Sequence, residues 1–382
     1  MHRNRRFIHR LAINTPDYPR RLLCSAFFYG LLTLSAAAEP LLLDGHPDGV
    51  QRARFHPDDS LVLSAGLDNL LRVWDATDGR ARTLARGHWN AIQDIAFSPD
   101  GRYFASVADD RTARVWHTAD GQPLTTLVAH WSQVTELAFR PDGEELATGG
   151  RDGTIRIWPV AGRRARLVLE HPRAVLSIRY DTSGERLLSA CLDGALRLWD
   201  ARSGELLQHL DTPDGYLTRG LFSPDGQFIA SASGDGTIRL WETDSGTPGA
   251  VLKGHADRVG ALVYSPDGSR LLSGSSDGSA RLWDSASGET LAVLSHDQQR
   301  LTDVLFRPDG RLLASADAAG RIRLWDRHGR PLATLHRHRD TINNLDFSSD
   351  GSRLLSASMD GTVRVWSIPE DLSMDVAQVN AD

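Results

Sequence analysis

From residue 40 to residue 367 the chain alternates short apolar runs with polar turns, on a fixed beat. Residues 250–288 show one unit. A short run at 250–255 ends in a turn, and a run at 258–268 ends in Pro-Asp-Gly. A third at 269–278 ends in Asp-Gly, and a fourth at 279–288 is closed by another glycine turn. Pro and Gly at such offsets set turn geometry. Strand-length runs between regular turn signals predict all-β structure, four strands to the unit. Outside the first 38 residues, no segment of helical length carries the 3.6-residue period.

The unit repeats eight times. Tryptophans stand at 74, 116, 158, 199, 241, 283, 325 and 366, spaced 41 or 42 apart. Nineteen residues before each is an aromatic, from Phe55 to Phe347, and ten before each is a Ser or Thr, from Ser64 to Ser356. A four-stranded unit cannot bury both of its faces alone, so the units must stack. A closed ring also protects the end strands from edge pairing. The fold class predicted is all-β: an eight-bladed propeller of four-stranded antiparallel blades.

These residues resemble the WD-repeat (WD40) family over about 40–367. Trp74-Asp75, Trp199-Asp200, Trp283-Asp284 and Trp325-Asp326 keep the full dipeptide. The resemblance implies a buried His–Ser/Thr–Asp–Trp network in each blade. Matching sets are His46, Ser64, Asp68, Trp74; His88, Ser106, Asp110, Trp116; and His130, Thr148, Asp152, Trp158. They continue as His171, Ser189, Asp193, Trp199; His255, Ser273, Asp277, Trp283; and His338, Ser356, Asp360, Trp366. Indole only donates and carboxylate only accepts, while His and Ser do both, so a chain of them satisfies itself in a dry space. These residues are therefore read as structural. Unit five has Pro213 in place of the His. Unit seven has Ala319 in place of the Asp, with His296 one residue early. Both blades are expected to be looser, without intact networks. By the same resemblance each unit supplies the outer strand of one blade and three strands of the next. Residues 40–44 would then close the ring beside 362–367, and the tail from Ile368 would be loose or a stray edge strand.

Composition is ordinary for a globular protein, 41% hydrophobic and 24% charged. The net charge of −6 argues against a general nucleic-acid footprint. The first 38 residues differ. A segment with six arginines and one acid precedes an apolar run at 22–34 and an Ala36-Ala37-Ala38 site. That order reads as a secretory signal peptide, and the run is short for a span. Its removal would take the net charge to −11 and leave Cys191 as the lone cysteine, with no intramolecular disulfide. The expected organisation is a signal at 1–38, a propeller at 39–367 and a tail at 368–382. The protein is expected to be exported, periplasmic or secreted, without a stable membrane span; an uncleaved N-terminal anchor is the alternative.

Catalytic look-alikes dissolve into the repeat. Gly274-Ser275-Ser276-Asp277-Gly278 spells G-x-S-x-G, but that motif needs a strand-to-helix turn. His336 and His338 form H-x-H, and a metal site needs three or four converging ligands. No catalytic, metal or cofactor residue is assigned. A runner-up is an exported enzyme shaped like the eight-bladed quinoprotein dehydrogenases. Residues 284–288 resemble part of their repeat, but Ala292 stands where a later Trp belongs.

The favoured function is a protein-interaction scaffold, monomeric, holding protein partners rather than nucleic acid through one face. Small-ligand binding in the channel is compatible with it. By resemblance, that face carries Leu67, Leu176, Leu192, Tyr216, Met359, Arg151, Arg258, Arg300 and Asp109. Trp89 and Trp131, each directly after a network His, stand outside the repeat pattern. Exposed aromatics and Arg are favoured at interfaces; the plainer alternative is local packing between blades.

Overall fold

The computed structural model describes residues 39–212, 215–370 and 372. The expected leader and Pro213 lie outside them. Within them are 32 strands in eight antiparallel sheets of four, arranged as a ring. The first blade runs Val50–Phe55, Leu61–Gly66, Leu71–Asp75, Ala81–Ala85, from the channel outward. Six more blades follow the same order.

The eighth blade is composite. Ile342–Phe347, Arg353–Ser358 and Thr362–Ser367 come from the end of the chain, and Leu41–Asp44 is the outer strand. Its register is Leu41↔Val365, Leu42↔Arg364, Leu43↔Val363 and Asp44↔Thr362. The period-2 alternation of a strand turns Leu43 inward, fully buried, and leaves Leu42 44% exposed.

The core is not one cluster but eight, each shared by two neighbouring blades. Trp74 and Phe55 of the first blade pack with Leu43, Leu355, Val363 and Val365 of the eighth. Each repeated Trp thus faces the preceding blade, and so its 42-residue beat is the pitch of the ring. The packed region runs past residue 367. Ile368 is buried, donates its N–H to Ser352 O at 2.8 Å, and joins Leu372 in the cluster between blades seven and eight. Ile368 is therefore part of the packed body, not of a loose tail.

Every innermost strand carries a β-bulge at its second residue, as between Val50 and Arg52, or Val259 and Ala261. A bulge bends the strand and re-aims the next side chain. Third and fifth residues such as Arg52, Arg54, Asp94, Glu136, Arg179, Arg219 and Asp346 form ion pairs there. Carboxylates among them also staple blades: Leu137 N–H donates to Asp94, Ile178 N–H to Glu136, and Phe55 N–H to Asp346.

Candidate interaction face

The turn before each third strand and the loop before each first strand lie on one face of the ring, where the His and Asp residues meet. In blade two, Trp116 Nε1 donates to Ser106 Oγ at 2.9 Å, and His88 Nε2 lies 2.7 Å from the same oxygen. His88 Nδ1 lies 2.7 Å from Asp110. Since Trp only donates and Asp only accepts, the consistent direction is Trp to Ser, Ser to His Nε2, and His Nδ1–H to Asp. Blades one, three, six and eight repeat this, with His–Asp distances of 2.9 Å at His46, His130, His255 and His338. Burial pushes the His88 and His255 pKa values down, against the raising effect of their aspartates. Burial works against ionising Asp152 and Asp277, yet hydrogen bonds from His130 and Thr154, and from Ser279 and Ala256, hold both at about 2.

Blade four departs where the sequence matched. His171 Nε2 reaches Ser189 at 2.9 Å, but no hydrogen bond joins His171 to Asp193, which pairs with Arg197 at 2.6 Å. In blades two, three, six and eight, the residue after the His donates its backbone N–H to the Asp, and a hydroxyl two residues past the Asp donates as well. Blade four has Pro172, which has no N–H, and Ala195, which has no hydroxyl. Asp193 has neither anchor and turns to Arg197; blade one lacks both as well, with Pro47 and Leu70, yet Asp68 holds His46 and Arg72 at once, so the missing donors do not by themselves account for the turn.

His171 consequently has a pKa of about 4, lowered by burial first and by Arg197 next. A folded-state pKa below the ordinary 6.5 adds stability above pH 6.5 that is lost as pH falls through about 4. The loss is expected to be about 3 kcal/mol. His171→Gln should flatten that part of the stability curve; urea midpoints from pH 7 to pH 4 that fall equally in both proteins would contradict it.

Blade seven departs in the opposite direction, and the expectation of a loose blade without a network is corrected. His296 Nε2 lies 2.6 Å from Ser315 Oγ, which accepts Trp325 Nε1 at 2.8 Å. Asp317, two residues before Ala319, takes the vacant role at 3.2 Å from His296 Nδ1. The early His is accommodated by Asp297 and Gln298, both at positive φ (50° and 62°), which take up the extra residue. In blade five the Trp241–Ser231 contact is 3.3 Å, longer than in the other blades, and Thr212 is buried there.

The candidate partner residues fall into three groups. Trp89 (62%), Trp131 (70%), Leu192, Tyr216, Arg151, Arg258 and Arg300 are exposed. Leu67, Asp109 and Met359 are half-buried and pack locally, with Met359 lying over Gly49. Leu176 is a bulge residue. With Arg258, Thr135, Thr218, Arg219 and Gly260 it lines a channel-mouth cavity of ≈ 140 Å³. Sequence reasoning passed over the channel charges, which stand at the third or fifth residue of seven of the eight inner strands. Asp346, stapled to Phe55, has its carboxyl raised to about 6 by burial, against the lowering effect of Arg54. An arginine two residues before every tryptophan also went unread. Arg72 and Arg197 reach the network aspartates, while Arg114 and Arg281 lie 6.0 and 5.8 Å from the indoles of Trp116 and Trp283.

Ser276, of the G-x-S-x-G match, sits in a strand-to-strand turn with its N–H on Arg258 O. His338 is spent in its network while His336 is exposed. Cys191 is buried, and burial pushes its thiol up. Among the described residues, no group of three or more His, Cys, Asp or Glu is placed to hold a metal ion. No helix there is long and apolar enough to cross a membrane.

Eight stacked blades, a closing strand from the chain's start and a network face define a repeat propeller. The family model "WD domain, G-beta repeat" matches residues 39–75, 80–117, 121–159, 164–200, 204–242, 246–284, 288–326 and 329–367, and the chain belongs to that family. No curated protein matches it. Among solved structures it is similar to the computationally designed Ika8 protein, at 27% identity and a TM-score of 0.78, over 87% of this chain and 100% of that one.

Proposed function

We propose that the protein is an interaction scaffold that holds protein partners on the network face of its ring. The observation that carries this reading is the pair Trp89 and Trp131. Both indoles stand 62% and 70% exposed, while their backbone N–H groups are held by the buried Asp110 and Asp152. Large aromatics on an anchored backbone offer much contact area for few side-chain torsions and are typical anchors of interfaces. Propellers of this family commonly serve as such platforms.

The leader pattern supports export, with cleavage after Ala38 leaving the closing strand at the start of the mature chain. Capture from an exported fraction tests both readings. The crosslinker must be photoreactive, because Lys253 is the sole lysine. A partner is expected whose yield falls with Trp89→Ala and Arg258→Glu, along with a mature mass starting at Glu39. No partner, together with turnover in a substrate screen, would sink the scaffold; a mass starting at Met1 would refute cleavage.

A further inference from the structure

Arg111 is the unexpected residue on this face. It occupies the turn position directly after the network Asp, where six blades carry glycine and blade one carries Asn69. Its φ is +70°, a conformation that L side chains rarely adopt. The place is also crowded. A Cβ at the corresponding Gly153 would lie 2.7 Å from His171 O, and at Gly236 2.8 Å from His255 O, in the loop entering the next blade. By the same placement, Arg111 abuts the loop that carries His130 and Trp131. On its other side, the carboxylate of its chain neighbour Asp110 holds the N–H of Trp89. A strained cation thus stands between two exposed indoles. Strain kept at a surface turn, where glycine would relieve it, points to a use for the side chain.

The surroundings indicate what the side chain is for. The Arg111 guanidinium is exposed and makes no hydrogen bond or ion pair, and Arg86, three residues before Trp89, is likewise exposed and unpaired. The carboxylates of Asp110 and Asp152 are turned inward and fully buried in their networks. Asp109 is half-buried beside Arg151, burial raising its pKa against that arginine. The patch is therefore cationic and aromatic, on a chain of net charge −6.

We infer that Trp89, Arg111 and Trp131 form a clamp for an extended acidic peptide segment of a protein partner. The guanidinium takes a carboxylate in a two-pronged contact, and the indoles receive apolar side chains on either side of it. A single nucleic-acid strand also seeks cations and aromatics. It would bring a run of phosphates against the net negative field of the ring, whereas a peptide needs one or two carboxylates. The inference rests on the scaffold reading and narrows it to one patch and one chemistry.

A displayed library of random dodecapeptides, selected on the full chain, tests it. The expected enrichment is for net-negative sequences with aromatic or proline residues flanking an acid. Arg111→Gly, which installs the residue six blades already have, should leave the thermal midpoint unchanged or raised while weakening the selected peptide at least about ten-fold. Trp89→Ala combined with Trp131→Ala should weaken it at least as much. Enriched peptides without negative charge, undiminished binding to Arg111→Gly, or displacement by a 20-nucleotide oligodeoxythymidylate would each overturn the clamp. If crosslinking still captures a partner with Arg111→Gly, the clamp falls and the scaffold stands. If the unaltered chain captures nothing, the scaffold itself falls.

Discussion

Asp110→Ala is expected to destabilise the protein by about 2–5 kcal/mol, because it takes one acceptor away from several buried donors at once. The side chains of Asp110 and His88 are fully buried. One carboxylate oxygen accepts from His88 Nδ1 at 2.7 Å and from the Trp89 N–H at 3.2 Å. The other accepts the Thr112 N–H at 2.9 Å and its hydroxyl at 2.7 Å. Alanine leaves these donors unpaired in a place water does not reach, at about 1–3 kcal/mol for each buried group left so. Asp193→Ala in blade four is the internal comparison. Asp193 holds the Ala195 N–H and the buried Arg197 but not its histidine, so its loss strips the partner from a buried charge and should cost about 3–5 kcal/mol. A urea midpoint of Asp110→Ala that stays at the parent's value would mean that the network contributes nothing.

Leu43→Asp is expected to open the ring. Leu43 is fully buried against Val363 and Val365 in the shared cluster of blades eight and one. Truncating such a leucine to alanine costs about 2–5 kcal/mol, and an unpaired carboxylate in its place adds a desolvation cost of several kcal/mol. With the closing strand detached, Thr362–Ser367 becomes a bare edge open to pairing with another chain. Size-exclusion chromatography should therefore show oligomers along with the loss of stability. Leu42→Asp, one residue away on the exposed side of the strand, should stay within about 0.5 kcal/mol of the parent and keep its elution volume. Equal behaviour of the two variants would refute the register Leu43↔Val363.

The blade count, the strand order and the closing strand were legible because each rests on a residue type that recurs at one spacing. The Trp–Ser–aromatic beat is the pitch of inter-blade packing, and the Pro-Asp-Gly and Asp-Gly turns mark the strand ends. What escaped was set by neighbours outside the four-residue pattern. In blade four the pattern is complete, yet Asp193 turns from His171 to Arg197, an arginine outside the pattern. In blade seven it is broken at Ala319, yet Asp317 reaches the histidine from two residues upstream. A pattern of identities does not register a carboxylate of the same reach at another position. The channel charges were hidden for a further reason: the bulge decides which side chains of an inner strand face the channel. The exposure of Trp89 and Trp131 was anticipated from their place outside the repeat. Arg111 was not, because its peculiarity lies in a backbone angle.

The sequence repeat and the structural blade are out of phase. The first matched repeat, 39–75, supplies the outer strand of blade eight and three strands of blade one. Every seam between repeats is therefore a lap joint rather than a butt joint, and the final closure uses the same joint as the seven internal ones. Gain or loss of one whole repeat would leave the strand order of every joint as it is, the closing one included. Nothing in the closing strand counts blades.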